Sequence, residues 1–284
     1  VKRVEYRVDG DLVRGVLHEP PGTKRRHVPL VLATHGLASS RTEWYGLPAR
    51  LAEAGYAVLT IDFRGHGESE GERGIQSLAR ATADMNGAVE AVRNEYGVDA
   101  DRLALLGHSM GATLALGAAP ALNPKCVIAL APMRRARDEM SLPEFVGYNA
   151  ARLVHAPLRL VHKRGLRVPY KVDYRRLYED PGAVQRAKRD RFLQRTIPVK
   201  NYHSIVHELD GELFASHVKA PTLVVLASHD RVVQNASSRA VYEALAGPKE
   251  MAVLNGSGHS MPGDRRSPEL VERCLVFLRD HLRG

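Results

Sequence analysis

The chain has 284 residues, 44% of them hydrophobic and 26% charged, a balance that excludes a disordered or fibrous protein. The formal charge is +9, and the excess is local: seventeen Lys and Arg against seven Asp and Glu fall within residues 133–205, so the rest of the chain is close to neutral. The most apolar stretch, residues 110–133, is broken by Pro120, Asn123, Pro124 and Lys125, whereas a membrane span needs about 20 uninterrupted apolar residues.

Residues 1–10 alternate charged and apolar side chains without the continuous hydrophobic run of a signal peptide. Two alternating runs, 4–8 and 12–17, joined by Asp9-Gly10-Asp11, predict a β-hairpin. Residues 29–34 are continuously apolar, as expected of a strand buried on both faces of a parallel sheet. Helical spacing over 44–54 ends at Gly55, and another buried strand follows at 56–61. A long amphipathic helix is expected over 77–96, with Leu78, Met85, Val89 and Val92 on one face and Gly97 as its stop. Next come a strand at 102–106, a helix at 110–122 and a strand at 126–130. The alternation then pauses and resumes with a strand at 222–227, a helix at 236–246, a short strand at 250–254 and a last helix at about 268–282. Alternating strands and helices define an α/β protein with a mainly parallel sheet flanked by helices. The pause is rich in Arg and aromatic residues and reads as a mostly helical insertion above the strand ends. The expected organisation is a first core part over 1–132, a helical cap insertion over 133–213 and a second core part over 214–284. Cys126 and Cys274 both sit in apolar runs and read as reduced and buried, which together with the N-terminus points to the cytoplasm.

Gly107-His-Ser-Met-Gly111 matches Gly-x-Ser-x-Gly, a weak signal as a bare pentapeptide. Its context strengthens it, because it follows one apolar strand and opens a helix. A sharp strand-to-helix turn strains the serine backbone and lifts its hydroxyl above the sheet. Only small residues fit on either side, hence Gly107 and Gly111. The Met110 amide at the helix N-terminus then faces the place where negative charge develops. The competing reading is an ordinary helix-capping serine.

A serine hydroxyl needs a base, and the base a carboxylate to orient it. His259 lies in the loop Asn255-Gly-Ser-Gly-His-Ser260 after a strand, and Asp230 lies just beyond the end of the strand at 222–227. Both therefore emerge at carboxyl ends of parallel strands, the edge that carries Ser109 and where open α/β sheets bind ligands. A surface histidine and a turn-capping aspartate are the bland alternatives, and Asp264 is a reserve candidate for the acid. A second oxyanion donor is expected from the Leu37 amide in His35-Gly-Leu37, with His35 supporting the loop rather than reacting.

Together, His35-Gly36, Asp62-Phe-Arg-Gly-His-Gly-Glu-Ser69, Gly107–Gly111, Ser228-His-Asp230 and Gly258-His259 resemble the α/β-hydrolases. Residues 34–71 look especially similar to monoacylglycerol lipases and feruloyl- or cinnamoyl-type carboxylesterases. The resemblance implies an eight-stranded, mainly parallel sheet, no cofactor, and a cap over the active site. In the segment Asp62–Ser69 a structural role is expected: Gly65 and Gly67 turn the loop, Arg64 ties loops together, and His66 does no chemistry.

His203 and His207 stand one helical turn apart, but no further ligand supports a metal pair. No glycine-rich phosphate loop is present. The thirteen arginines of the insertion could draw in anionic esters or touch an acidic membrane; the favoured reading is a solvated cap whose charges pair with each other and with the core, and nucleic-acid binding lacks a reader motif. The sequence thus points to a serine hydrolase acting on a small-molecule carboxylic ester. Ser109, His259 and Asp230 would form its triad, and the amides of Leu37 and Met110 its oxyanion hole. Phe145, Val146, Tyr148, Leu153 and Val154 suggest a short- to medium-chain acyl group. Amide, peptide or thioester cleavage by the same triad remains open, as do a cofactor-free peroxidase, a carbon–carbon hydrolase and a non-catalytic binder.

Overall fold

The computed structural model describes residues 1–22, 27–140, 142–158, 166–170 and 172–282. Ten strands and ten α-helices are described in these residues. In chain order they begin β1 (Lys2–Val8), β2 (Asp11–His18), β3 (Val28–Thr34), α1 (Leu47–Glu53), β4 (Ala57–Asp62), α2 (Leu78–Glu95), β5 (Val98–His108), α3 (Met110–Leu122) and β6 (Cys126–Leu130). Then come α4 (Leu142–Leu158), β7 (Arg167–Pro169), α5 (Tyr174–Leu177), α6 (Pro181–Lys188), β8 (Thr196–Pro198), α7 (Val199–Glu208) and α8 (Gly211–Ala215). The chain closes with β9 (Thr222–Ala227), α9 (Asn235–Ala244), β10 (Lys249–Leu254) and α10 (Ser267–Leu282).

Eight strands form one sheet in the order β1-β2-β4-β3-β5-β6-β9-β10, with β1 and β2 antiparallel and the remaining neighbours from β4 onward parallel. The expected hairpin forms at one edge. Asp9 and Gly10 both have positive φ, 49° and 90°, which gives a two-residue turn whose twist matches its strands. Strands β3, β4, β6 and β9 are buried at every position, as their continuous apolar runs require of a sheet covered on both faces.

Side-chain alternation sorts these runs into two cores. Leu30, Leu32, Leu59 and Leu105 pack with α2 and α3, through Met85, Val92 and Leu114. Val31, Ala33, Val58 and Leu106 pack with α1 and α10, through Leu51, Phe277 and Leu278. Each leucine so buried contributes about 2 kcal/mol. Cys126 and Cys274 belong to the second core as free thiols, and burial raises both to a pKa of about 12.

Two elements differ from the sequence reading. The helix expected over 44–54 begins only at Leu47, as α1; a separate 3-10 turn at Arg41–Trp44 precedes it, and Tyr45 takes a positive φ of 47° between them. Strand β5 starts at Val98 rather than 102, since Val98 and Asp99 pair with Val28 and Pro29 before the register shifts.

Between β6 and β9 the chain is mostly helical, with a small antiparallel pair of β7 and β8. Its return is tied to the main body: Ile205, Leu209 and Ala215 are buried in the same core as the sheet. Among the described residues, no helix is long and apolar enough to cross a membrane.

Candidate active site

The turn from β5 into α3 carries Ser109 with φ 54° and ψ −123°, the strained conformation that its context demands. The neighbouring glycines leave no room for a side chain. A Cβ on Gly107 would lie 2.5 Å from Ala112 Cα, and one on Gly111 would lie 2.4 Å from the Thr34 carbonyl oxygen. The Ser109 amide donates to the Leu130 carbonyl at 2.8 Å, which locks the turn to β6. Its C-terminal partner, Met110, is fully buried at the first turn of α3.

The loop after β3 runs beside this turn. A Cβ on Gly36 would come within 3.4 Å of Ser109 Cβ, so the backbone leading into Leu37 passes next to the serine. Among the described residues, neither the Leu37 nor the Met110 amide donates a hydrogen bond within the protein. His35 holds this loop. Its Nε2 accepts from the Phe63 amide at 3.2 Å, so Nδ1 carries the proton and donates to the Gly36 carbonyl at 2.9 Å.

His259 and Asp230 meet. Nδ1 of His259 donates to Asp230 Oδ2 at 2.8 Å, both side chains being almost wholly buried. The Val232 and Val233 amides donate to the other oxygen, Oδ1, at 2.8 and 2.9 Å. Burial alone would raise the Asp230 pKa, but His259 and the two amides outweigh it and hold the carboxyl below its ordinary value. With Nδ1 committed as donor, Nε2 is the nitrogen left with a free lone pair.

Asp264 is placed elsewhere. Its carboxylate accepts from the amides of Gly258, Glu179, Asp180 and Arg265, clamping the His259 loop to the segment before α6. The 62–69 loop has the structural role expected of it. Arg64 bridges Asp84 of α2 and Asp9 of the hairpin, and Asp62 binds Arg41 and the Glu68 amide. A Cβ on Gly67 would strike the Asp62 carboxylate. Burial drives the His66 pKa well below its ordinary value, so that ring is neutral.

Two residues near the site carried no role in the sequence reading. His108, the first variable position of the pentapeptide, has Nδ1 3.1 Å from Glu43 Oε1 and Nε2 3.0 Å from the His259 carbonyl oxygen. Glu43 Oε1 also accepts from the Gly36 amide at 2.9 Å. No sequence spacing joins residues 65 apart.

Among the described residues, no group of three His, Cys, Asp or Glu is placed to hold a metal ion. His207 packs against Tyr148, and the side chain of His203 lies outside the described set. A cavity of about 700 Å³ opens beside the 71–73 turn, lined by Arg73, Arg167, Arg191 and Arg195 but by none of Ser109, Asp230 and His259.

Comparison with known proteins agrees with this architecture. The family model described as "Serine aminopeptidase, S33" (Hydrolase_4) matches residues 25–266, and the chain belongs to that family of hydrolases. An uncharacterized protein of Mycobacterium tuberculosis is 30% identical over 242 residues, covering 85% of this chain and 66% of the relative, so the chain spans less than two thirds of that protein. Among solved structures, the α/β hydrolase GrgF from Penicillium superposes with a TM-score of 0.83 at 20% identity, covering 100% of this chain and 99% of its own. Paleococcus ferrophilus monoacylglycerol lipase superposes with a TM-score of 0.76 at 21% identity, covering 95% and 99%. The fold is that of the α/β-hydrolases.

Proposed function

We propose that this hydrolase cleaves small-molecule carboxylic esters through an acyl-enzyme on Ser109. The observation that carries the reading is the buried 2.8 Å bond between Asp230 and His259 at the same sheet edge as the strained Ser109 turn. In this mechanism Ser109 Oγ adds to the ester carbonyl carbon while His259 Nε2 takes its proton. Asp230 holds the imidazole in the required tautomer and stabilises the imidazolium. The anionic carbonyl oxygen is held by the amides of Leu37 and Met110. Collapse breaks the bond to the alcohol, which leaves with the proton from His259. Water, deprotonated by His259, then adds to the acyl group. A second collapse returns the proton to Ser109 and frees the acid. Gly107 and Gly111 make the turn possible, and no step calls for a cofactor.

Residues 133–213 act in this reading as a cap that selects the substrate. Phe145, Val146 and Leu153 of α4 are exposed apolar side chains and Tyr148 is buried; the side chain of Val154 lies outside the described residues. A short- to medium-chain acyl ester, monoacylglycerol-like in its apolar part, suits such a surface. Several cap arginines pair with carboxylates, as in Arg135–Asp210 and Arg186–Asp180, which supports a self-paired cap over a membrane-docking one. The two free buried thiols suit a reducing, cytoplasmic setting.

The test is hydrolysis of p-nitrophenyl esters from acetate to palmitate by wild type and Ser109→Ala. Turnover with an optimum at short or medium chains, lost in the variant, is expected; turnover that survives in Ser109→Ala overturns the mechanism. A second reading, amide or peptide cleavage by the same triad, is favoured by the aminopeptidase description of the family. An ester and an amide of one acyl group, assayed side by side, separate the two.

A further inference from the structure

His108 is buried between two acceptors and has no acceptor role of its own to fill. The His259 carbonyl oxygen can only accept, so His108 Nε2 carries a proton toward it. On the other side stands Glu43, whose Oε1 already accepts from the Gly36 amide. We propose that Glu43 and His108 form a buried ion pair that positions three parts of the site at once: the oxyanion loop at Gly36, the nucleophile turn and the His259 loop. The inference rests on the serine mechanism proposed above and assigns both as positioning residues, since neither contacts a reacting atom.

The electrostatics agree with the geometry. Burial disfavours both charges, yet each partner's charge outweighs it: the His108 pKa is raised and the Glu43 pKa lowered. Asp230 and the His259 carbonyl also favour the cation, while a hydrogen bond from Ser39 favours the Glu43 anion. Tyr45 and Tyr178, the other ionisable neighbours, have raised pKa values and stay neutral near pH 7. A buried pair of this kind is costly unless fully hydrogen-bonded, and here both nitrogens of the ring are used.

The His108 and His259 ring centroids are 4.8 Å apart, so the pair also packs directly beside the imidazole of the base.

The experiment pairs ester kinetics of Glu43→Gln, Glu43→Asp and His108→Gln with long-range nitrogen NMR of the histidine rings in wild type at pH 8. The Gln variants should lose about tenfold to a hundredfold in kcat with KM little changed, and Glu43→Asp should recover part of the rate. The NMR should find, among the thirteen histidines, a ring with both nitrogens protonated at a pH where free imidazole is neutral. Its absence overturns the proposal even if every variant fails to fold, and so does an unchanged kcat in folded Glu43→Gln. Because the ring state is read without turnover, this failure is distinct from failure of the serine mechanism, which Ser109→Ala reports.

Discussion

At the residue scale, the Asp230–His259 bond decides which histidine nitrogen would act as the base in the proposed mechanism. Asp230→Asn keeps the shape but can present its amide N–H to the ring, favouring the wrong tautomer. The expected result is a fall in kcat of about 10⁴ with a small change in KM, read by steady-state ester kinetics. The Glu43–His108 pair sets a second residue-scale expectation, this time for stability against pH. Glu43 is depressed from 4.5, so its contribution is present above that value and is lost as pH falls through the folded pKa. His108 is raised from 6.5, so its contribution is full below 6.5 and is lost as pH rises through the folded pKa. Chemical denaturation across pH should therefore show an alkaline decline above about 6.5 that is absent in His108→Gln.

At the element scale, the turn between β5 and α3 works because two helix and strand backbones approach through glycine. A methyl group on Gly111 meets the Thr34 and His35 carbonyl oxygens at 2.4 and 2.5 Å, so either the turn or the loop after β3 must give way. Gly111→Ala should cost about 1–3 kcal/mol and remove most activity, measured by urea unfolding and ester turnover. Gly147 offers the contrast. It lies in the exposed helix α4 with nothing within 4 Å of its notional Cβ, and Gly147→Ala should stabilise by about 0.5–1 kcal/mol. A third element-level tie is Arg64, whose side chain is 1% exposed and which joins the 62–69 loop to α2 through Asp84. Arg64→Ala leaves that carboxylate buried without its partner and should cost about 3–5 kcal/mol. The double variant with Asp84→Ala should recover part of the loss.

At the scale of the whole molecule, the charge is divided between a nearly neutral body and a basic segment, residues 133–205. Some of that charge is cancelled locally, but Arg167, Arg191 and Arg195 form no ion pair with a carboxylate among the described residues and line one cavity with Arg73. The unbalanced field should draw anionic esters toward the cap over distances that salt screens, with a Debye length of about 10 Å at 0.1 M. Accordingly, kcat/KM for an ester bearing a carboxylate should fall severalfold between low and high ionic strength, while that for a neutral ester of equal length stays level. Equal responses of the two substrates would assign the arginines to cap stability alone.

Local patterning determined much of this on its own. Continuous apolar runs identify β3, β4, β6 and β9 because a strand covered on both faces is mostly apolar, its few polar residues, such as Thr60 and Asp62, being hydrogen-bonded. Asp9-Gly10 identifies the hairpin because two positive φ values suit few other pairs. The Ser109 turn was legible because strand, glycines and helix are contiguous. The tertiary structure decided what contiguity cannot. Asp264 stands far closer to His259 in the chain than Asp230, which is 29 residues away, yet folding brings Asp230 to the imidazole and turns Asp264 to backbone amides. The break between the 3-10 turn and α1 came from one residue, Tyr45, whose conformation helical spacing does not register. Glu43 and His108 were invisible for the same physical reason. Periodicity reports which face of an element is buried, but an ion pair between two elements depends on how those elements pack, and that is a property of the folded chain alone.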